Sequence, residues 1–282
     1  MIISVASGKG GTGKTLVATS LARSLENETV QLLDCDVEEP DAHLLLRPSL
    51  DSDRPVMQPV PKVDESRCTF CGRCSEVCAF NAIAVMGRTV LLLPELCHGC
   101  GACAYLCPED AITEEGREVG TIGVGMAGTV RFAQGRLAIG EAMPVPVIRA
   151  VKALADAAAT VIIDAPPGTG CPVVEAVRGS DFCLLVTEPT PFGLHDLTLA
   201  VELMHDLAIP CGVIINRDAL GDDAVERYCA EQSVPILLRI PFDRRIAELY
   251  CRGVTLAEGM PEWKGAFRDV FDKVRGLVPA GV

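Results

Sequence analysis

The chain has 282 residues, 49 % of them apolar and 4 % aromatic, and a net charge of −13. That length holds one sizeable α/β domain plus a small second module, and the acidity argues against binding to nucleic acid or to an anionic membrane. Fourteen cysteines in a protein expected to be cytoplasmic point to metal ligation rather than disulfides. The amino terminus, MIISVASGKG, has neither the basic region nor the long apolar core of a signal peptide, and no apolar run reaches transmembrane length. No stable membrane anchoring is expected.

Residues 1–6 form a short apolar run that meets a Gly-rich turn, and residues 14–26 follow with helical character. Between them, Gly8-Lys9-Gly10-Gly11-Thr12-Gly13-Lys14-Thr15 fits G-x-x-x-x-G-K-[ST] in the strand–loop–helix context that the motif requires. The glycines let backbone N–H groups curl around phosphate oxygens, and the helix N-terminus adds positive potential. Lys14 is expected to neutralise β/γ-phosphate charge, with about 4 kcal/mol of Coulomb attraction near 4 Å before desolvation. Thr15 is expected to hold Mg²⁺ through its hydroxyl, which makes Mg-ATP the expected ligand. Residues 29–34 form a second apolar run that closes on Asp34-Cys35-Asp36.

The next segment is rich in cysteine. Cys68, Cys71, Cys74 and Cys78 recur 29 residues later as Cys97, Cys100, Cys103 and Cys107, and Ala82-Ile83 recurs as Ala111-Ile112. C-x₂-C-x₂-C-x₃-C, twice, is the pattern of bacterial two-cluster ferredoxins, in which the fourth cysteine crosses to the other cluster. The pattern assigns Cys68, Cys71, Cys74 and Cys107 to [4Fe–4S] cluster I, and Cys97, Cys100, Cys103 and Cys78 to cluster II. Pro108 stands where a proline usually follows the fourth cysteine; Ala79 replaces it in the first half. Zinc is the alternative metal for Cys₄ sets, but evenly stepped cysteines do not look like separate zinc knuckles. His98, between two of these cysteines, is either an exposed histidine or a tuner of the neighbouring cluster. Pro55, Pro59 and Pro61 precede the segment and Gly120, Gly123, Gly125 and Gly128 follow it. These brackets predict an insert at 60–118 within a host domain made of 1–59 and 119–282. About 60 residues can barely sustain a core, so metal is expected to be needed for the insert to fold.

Apolar runs at 160–164, 182–188, 211–216 and 235–241, separated by helix-like segments such as 192–207, predict buried parallel strands alternating with helices. Asp164-Ala165-Pro166-Pro167-Gly168 and Asn216 sit at strand ends. Cys35, Cys183, Cys211, Cys229 and Cys251 lie in apolar or helical contexts and are expected in the core. His195 opens a helix-like segment and is expected to be structural. Trp263, Phe267, Val270, Phe271, Val274 and Leu277 share one helical face, expected to dock against the sheet.

Lys9 and its neighbours resemble the deviant Walker A pattern, K-G-G-x-G-K-T, of the MinD, ParA, Mrp and nitrogenase iron-protein superfamily. The resemblance implies an α/β P-loop NTPase with a mainly parallel sheet covered by helices, here carrying an inserted ferredoxin-like α+β domain. It implies an ATPase that forms an ATP-sandwich homodimer, with Lys9 reaching the partner's nucleotide. Asp36 would orient the attacking water or the Mg²⁺ shell with support from Asp34. Asp164 would reach Mg²⁺ through water, Gly168 would sense the γ-phosphate, and Asn216 would read adenine. Cys171 lies seven residues after Asp164, at an offset similar to that of an intersubunit cluster ligand in the nitrogenase iron protein. That protein uses two cysteines per subunit and no second is evident here, so a small buried residue or free thiol is the competing reading. None of the remaining cysteines forms a C-x-x-C pair, which counts against an Mrp-type scaffold. Three functions are open: ATP-gated electron transfer to a redox partner; assembly or delivery of a cluster to a small metallocofactor-binding protein; and MinD/ParA-like positioning. The acidity and the weakly basic C-terminal helix disfavour the third.

Overall fold

The computed structural model describes residues 1–25, 27–51, 53–218 and 222–278. Strands that are apolar runs without alternating polarity are buried on both faces, so helices must cover both sides of the sheet. The chain begins β1 (Ile2–Ala6), α1 (Lys14–Ser24), β2 (Val30–Asp34), α2 (Ala42–Leu46), β3 (Ser49–Leu50) and β4 (Arg54–Val63). The cysteine-rich stretch contributes α3 (Arg73–Val77), β5 (Ile83–Met86), β6 (Thr89–Leu92) and α4 (Ala102–Tyr105). The chain returns through β7 (Ile112–Ala127), β8 (Val130–Leu137) and α5 (Val145–Lys152). It ends β9 (Thr160–Asp164), α6 (Cys171–Val177), β10 (Phe182–Thr187), α7 (Pro191–Asp206), β11 (Cys211–Asp218), α8 (Ala224–Glu231), β12 (Ile236–Pro241), α9 (Arg244–Cys251), α10 (Leu256–Gly259) and α11 (Glu262–Leu277).

The main sheet runs β12-β11-β10-β1-β9-β2-β8-β7-β3, with β4 also on β7. All pairs from β12 to β8 are parallel, and those of β7 are antiparallel. Two apolar layers flank it. One joins α1, α10 and α11 to the sheet through Leu16, Leu21, Leu256, Phe267 and Val274. The other joins α5, α6 and α7 through Val147, Ile148, Val173, Leu197 and Val201. The parallel α/β P-loop architecture expected from the strand pattern is therefore present.

Strand positions agree with the apolar runs to within two residues. The first helix ends at Ser24; Glu26, included in the expected helix, lies outside the described residues. The C-terminal helix buries Phe267, Val270, Phe271 and Val274 but leaves Leu277 exposed. It packs on α1 and on β12, the edge strand of the sheet.

The prolines read as a boundary are part of a strand. Pro55, Pro59 and Pro61 lie in β4, which among the described residues pairs only with β7, and an edge strand tolerates residues without an N–H. The glycines after the cysteines are strand residues too. A side chain at Gly125 would strike the Ser49 carbonyl, and one at Gly120 would strike Arg136 O and Val147. Residues 60 and 118 both fall inside one continuous antiparallel ribbon, whose outermost register partners are Val63 and Ile112.

Candidate nucleotide site and cysteine module

The phosphate loop connects β1, at the centre of the sheet, to α1. Gly11 and Gly13 take positive φ of 77° and 97°, which side-chain-bearing residues rarely adopt. Two contacts hold the loop from outside. A Cβ on Gly8 would meet the backbone of Asp196 in α7, and a Cβ on Gly13 would meet Asn216 Nδ2. Asn216 Nδ2 donates to Thr12 O at 2.7 Å, so its amide braces the loop in this structure. Lys14 and Thr15 are buried at the first turn of α1.

Parallel register brings the acids together. Asp34 in β2 is the direct neighbour of Asp164 in β9, and Asp164 neighbours Val5 in β1. Asp34 is fully buried and accepts from Asp36 N at 3.2 Å and Ala42 N at 3.1 Å, so it shapes the turn that presents Asp36. Burial and the Asp164 charge raise its pKa well above the usual carboxylate range. Asp164 is also fully buried; desolvation raises it to about 7 against the pull of the Thr15 hydroxyl and Lys14. Although Thr15 lies beside it, neither Asp164 oxygen completes a hydrogen bond of ordinary geometry. Asp36 is half-buried and is raised to about 6, chiefly by desolvation, with Lys14 opposing.

A cavity of about 460 Å³ opens beside the loop, the size of a small-molecule site. Gly10, Gly11, Gly13, Lys14, Thr15, Asp36 and Asn216 line it, together with Asp41, Arg217, Phe242, Tyr250 and Cys251. Lys9 is half-buried and lies outside this lining. Gly168 has φ 94° and donates its N–H to Ser7 O at 3.0 Å, which places the Asp164–Gly168 segment under the loop. The expectation that Cys251 belongs to the core is corrected. It is exposed at the end of α9, where only one face of the helix is apolar, and it lines the cavity. Cys35, Cys183 and Cys229 are buried and Cys211 half-buried. Cys171 is exposed at the start of α6, and His195 is exposed.

The far wall was not anticipated from sequence. Phe242 follows the end of β12, and Tyr250 donates its hydroxyl to Asp41 Oδ2 at 2.9 Å. The available signal was Pro241-Phe242-Asp243 at the carboxyl end of a parallel strand, where open α/β sheets bind ligands.

The cysteine module hangs from the β4–β7 ribbon. All eight of its cysteines are free and lie around two cavities. Cys68, Cys71, Cys74 and Cys107 line one; Cys78, Cys97, Cys100 and Cys103 line the other. Each set takes its fourth member from the other half of the repeat. Backbone N–H groups aim at the sulfurs: Phe70 N to Cys68 Sγ and Gly99 N to Cys97 Sγ at 3.4 Å, Ala82 N to Cys78 Sγ and Ala111 N to Cys107 Sγ at 3.3 Å. The module's own buried apolar cluster is Val60, Ala82 and Cys97, with Cys78 packed against it. Among the described residues, no three His, Cys, Asp or Glu converge to hold a single metal ion.

A glycine-rich loop at the carboxyl end of a central parallel strand, with buried acids on the neighbouring strands, defines a P-loop nucleotide-binding protein. The profile of the CobQ/CobB/MinD/ParA nucleotide binding domain matches residues 3–256, and the chain belongs to that family. Two uncharacterised proteins of Methanocaldococcus jannaschii are 32 % and 31 % identical to it, over 90 % and 99 % of this chain and 90 % and 98 % of theirs. An iron-sulfur cluster carrier protein of Pyrococcus horikoshii is 28 % identical over 40 % of this chain and 44 % of its own length. Among solved structures, the septum site-determining protein MinD of Pyrococcus horikoshii, complexed with Mg-ADP, superposes with a TM-score of 0.60 at 21 % identity, covering 99 % of this chain and 97 % of that one. That likeness shows the fold. No helix among the described residues is long and apolar enough to cross a membrane.

Proposed function

We propose that this protein is a homodimeric Mg-ATPase that couples its nucleotide state to electron transfer through two [4Fe–4S] clusters on a ferredoxin-like module. One observation carries the reading: two four-cysteine cavities, each completed by a cysteine from the opposite half of the repeat. Soft sulfur donors supported by N–H···S contacts suit iron–sulfur clusters. A module whose buried apolar cluster is so small needs a bound group to complete its interior. When bound, such clusters supply one-electron redox chemistry; the residues that would hold them are Cys68, Cys71, Cys74 and Cys107, and Cys97, Cys100, Cys103 and Cys78.

At the nucleotide, positioning and charge neutralisation suffice for phosphoryl transfer. Lys14 and the N–H groups opening α1 hold the β- and γ-phosphates. The buried, hydrogen-bond-free carboxylate of Asp164 fits the outer shell of Mg²⁺, with the Thr15 hydroxyl as a direct ligand. Asp34 orients the turn that carries Asp36. Asp36 at the cavity wall orients the attacking water, whose oxygen joins the γ-phosphorus as the bond to ADP breaks. Lys9, outside its own cavity, serves the partner's nucleotide. Nucleotide state reaches the module through β2, β8 and the β7–β4 ribbon, which are contiguous in one sheet.

Anaerobic purification with iron and sulfide counts, then EPR of the reduced protein with and without Mg-ATP, tests this. About eight irons per chain and nucleotide-dependent spectra or potentials are expected. Bound zinc, or redox titrations identical in both nucleotide states, sinks the reading. The partial similarity to iron-sulfur cluster carrier proteins favours a second reading, delivery of a cluster, with the exposed Cys171 offered as a bridging ligand between subunits. It requires ATP-dependent loss of iron to an apo-acceptor, which electron transfer does not.

A further inference from the structure

The internal repeat makes the two cysteine cavities alike in backbone, and this isolates what differs between them. Each receives two N–H···S contacts of matching length. Side-chain charge and burial do not match. The cavity of Cys68, Cys71, Cys74 and Cys107 is lined by Arg73 and Phe70, and the Arg88 guanidinium lies 5.9 Å from the Phe70 ring centre. Glu109 also lines it, but Arg67 donates to the Glu109 carbonyl at 2.9 Å, adding a further cation there. The cavity of Cys97, Cys100, Cys103 and Cys78 is lined by Glu114 and by His98, which stacks on Phe80; no Lys or Arg lines it. Burial differs at one position: Cys97 is buried where its counterpart Cys68 is half-buried.

The cavities also differ in place. Gln58 of β4 donates to the Cys97 carbonyl, and Gly99 sits against Pro59. Val63 and Ile112, at the end of the ribbon, line the other cavity. The second cavity itself meets the ribbon at Pro61 and Glu114, register partners two residues nearer the host sheet, roughly 7 Å along the strand. The second cavity is therefore proximal to the host sheet and the first distal.

Resting on the cluster reading above, we infer that the distal site, Cys68/Cys71/Cys74/Cys107, has the higher reduction potential, set by Arg73 and Arg88 against Glu114, and is where an electron delivered to the module comes to rest. A cluster gains negative charge on reduction. Nearby guanidinium groups and water favour that state; a nearby carboxylate and burial oppose it. With both clusters held, these residues would make the distal set the resting place of an electron from a low-potential one-electron donor protein, which is oxidised by one electron as the module is reduced by one.

The test is an EPR-monitored redox titration of the full-length, anaerobically loaded protein at pH 8.5. Two resolved transitions are expected. Arg73→Gln should lower the upper midpoint and leave the lower one in place, and adding Arg88→Gln should enlarge that shift. Arg73→Lys should restore it, and Glu114→Gln should raise only the lower midpoint. Arg73, Arg88 and Glu114 are exposed and ligate nothing, so iron content should stay at the wild-type value. A wild-type protein without about eight irons removes the cluster reading itself. A loaded protein overturns this inference alone if its clusters titrate together, if Arg73→Gln moves the lower midpoint, or if neither charge change moves either.

Discussion

Single side chains set the nucleotide loop. Gly13 combines φ 97° with an approach to Asn216 Nδ2 that leaves no room for a Cβ. Gly13→Ala should cost about tenfold or more in nucleotide affinity, from strain of about 1 kcal/mol plus the clash. Asn216→Ala removes the bond to Thr12 O and should weaken affinity about five- to a hundredfold, the cost of about 1–3 kcal/mol for an orphaned buried carbonyl. Because the two residues touch, the double variant should be less impaired than the sum of the singles; strict additivity in calorimetric titrations would contradict this geometry.

The buried acids predict a pH dependence with a definite sign. Asp164 and Asp36 are raised to about 7 and about 6, whereas an unfolded Asp titrates near about 3.9. The folded, metal-free protein therefore holds protons that the unfolded chain has released. Their stabilising effect is present below about pH 4 and is lost as pH rises through about 6 to 7. In the roles proposed for them at Mg-ATP both acids are ionised, so binding should release protons near pH 6 and lose affinity as pH falls. Titration calorimetry in buffers of different ionisation enthalpy reads the released protons directly. Asp164→Asn should abolish most of that release; an unchanged release would reassign it.

At the scale of elements, Arg23 ties four of them together. From α1 its guanidinium donates to Ala127 O at 2.9 Å and Leu46 O at 2.8 Å, and it pairs with Glu258 of α10 at 3.0 Å. Arg23→Ala should lower stability by about 2–4 kcal/mol, mostly through the two abandoned carbonyls. A thermal midpoint within about 2 °C of wild type would show that water replaces it. The parallel strands were legible from sequence because burial on both faces makes each an uninterrupted apolar run. β7 was not. Its first half, with Glu114, Glu115, Gly116, Arg117 and Glu118, has no such run, and it is a strand because β4 pairs with it residue by residue. The prolines of β4 concealed that strand for the same reason: only an edge position, settled by the whole sheet, tolerates them.

For the molecule as a whole, the ribbon defines a clean junction. Val63 and Ile112 are register partners, so replacing residues 64–111 by an Asn-Gly turn should close a hairpin. The shortened protein should stay folded and bind Mg-ATP, and should carry none of the iron that the proposed function gives to the module. Aggregation, or lost nucleotide binding, would mean that the module is part of the host's core. In the full chain, chelating the proposed clusters' iron should accelerate amide exchange across residues 64–111 and leave β1 and β9 protected, since the host layers are built from other residues.

Most members of both candidate sites were legible in sequence, because they lie within short segments of fixed spacing. Residues 8–15 form one continuous loop, and each half of the repeat supplies three cysteines to one cavity from a short stretch and a fourth to the other. Tertiary structure alone decided how those segments combine. It brought Asp34 and Asp164 side by side through strand register, closed the nucleotide cavity with Tyr250 and Phe242 from the far end of the chain, and seated one cysteine cavity against Gln58 with the other beyond it. The reason is physical. Local motifs are limited by chain stiffness over a few residues, whereas these contacts join residues separated by tens to hundreds of positions and exist only once the sheet has ordered its strands.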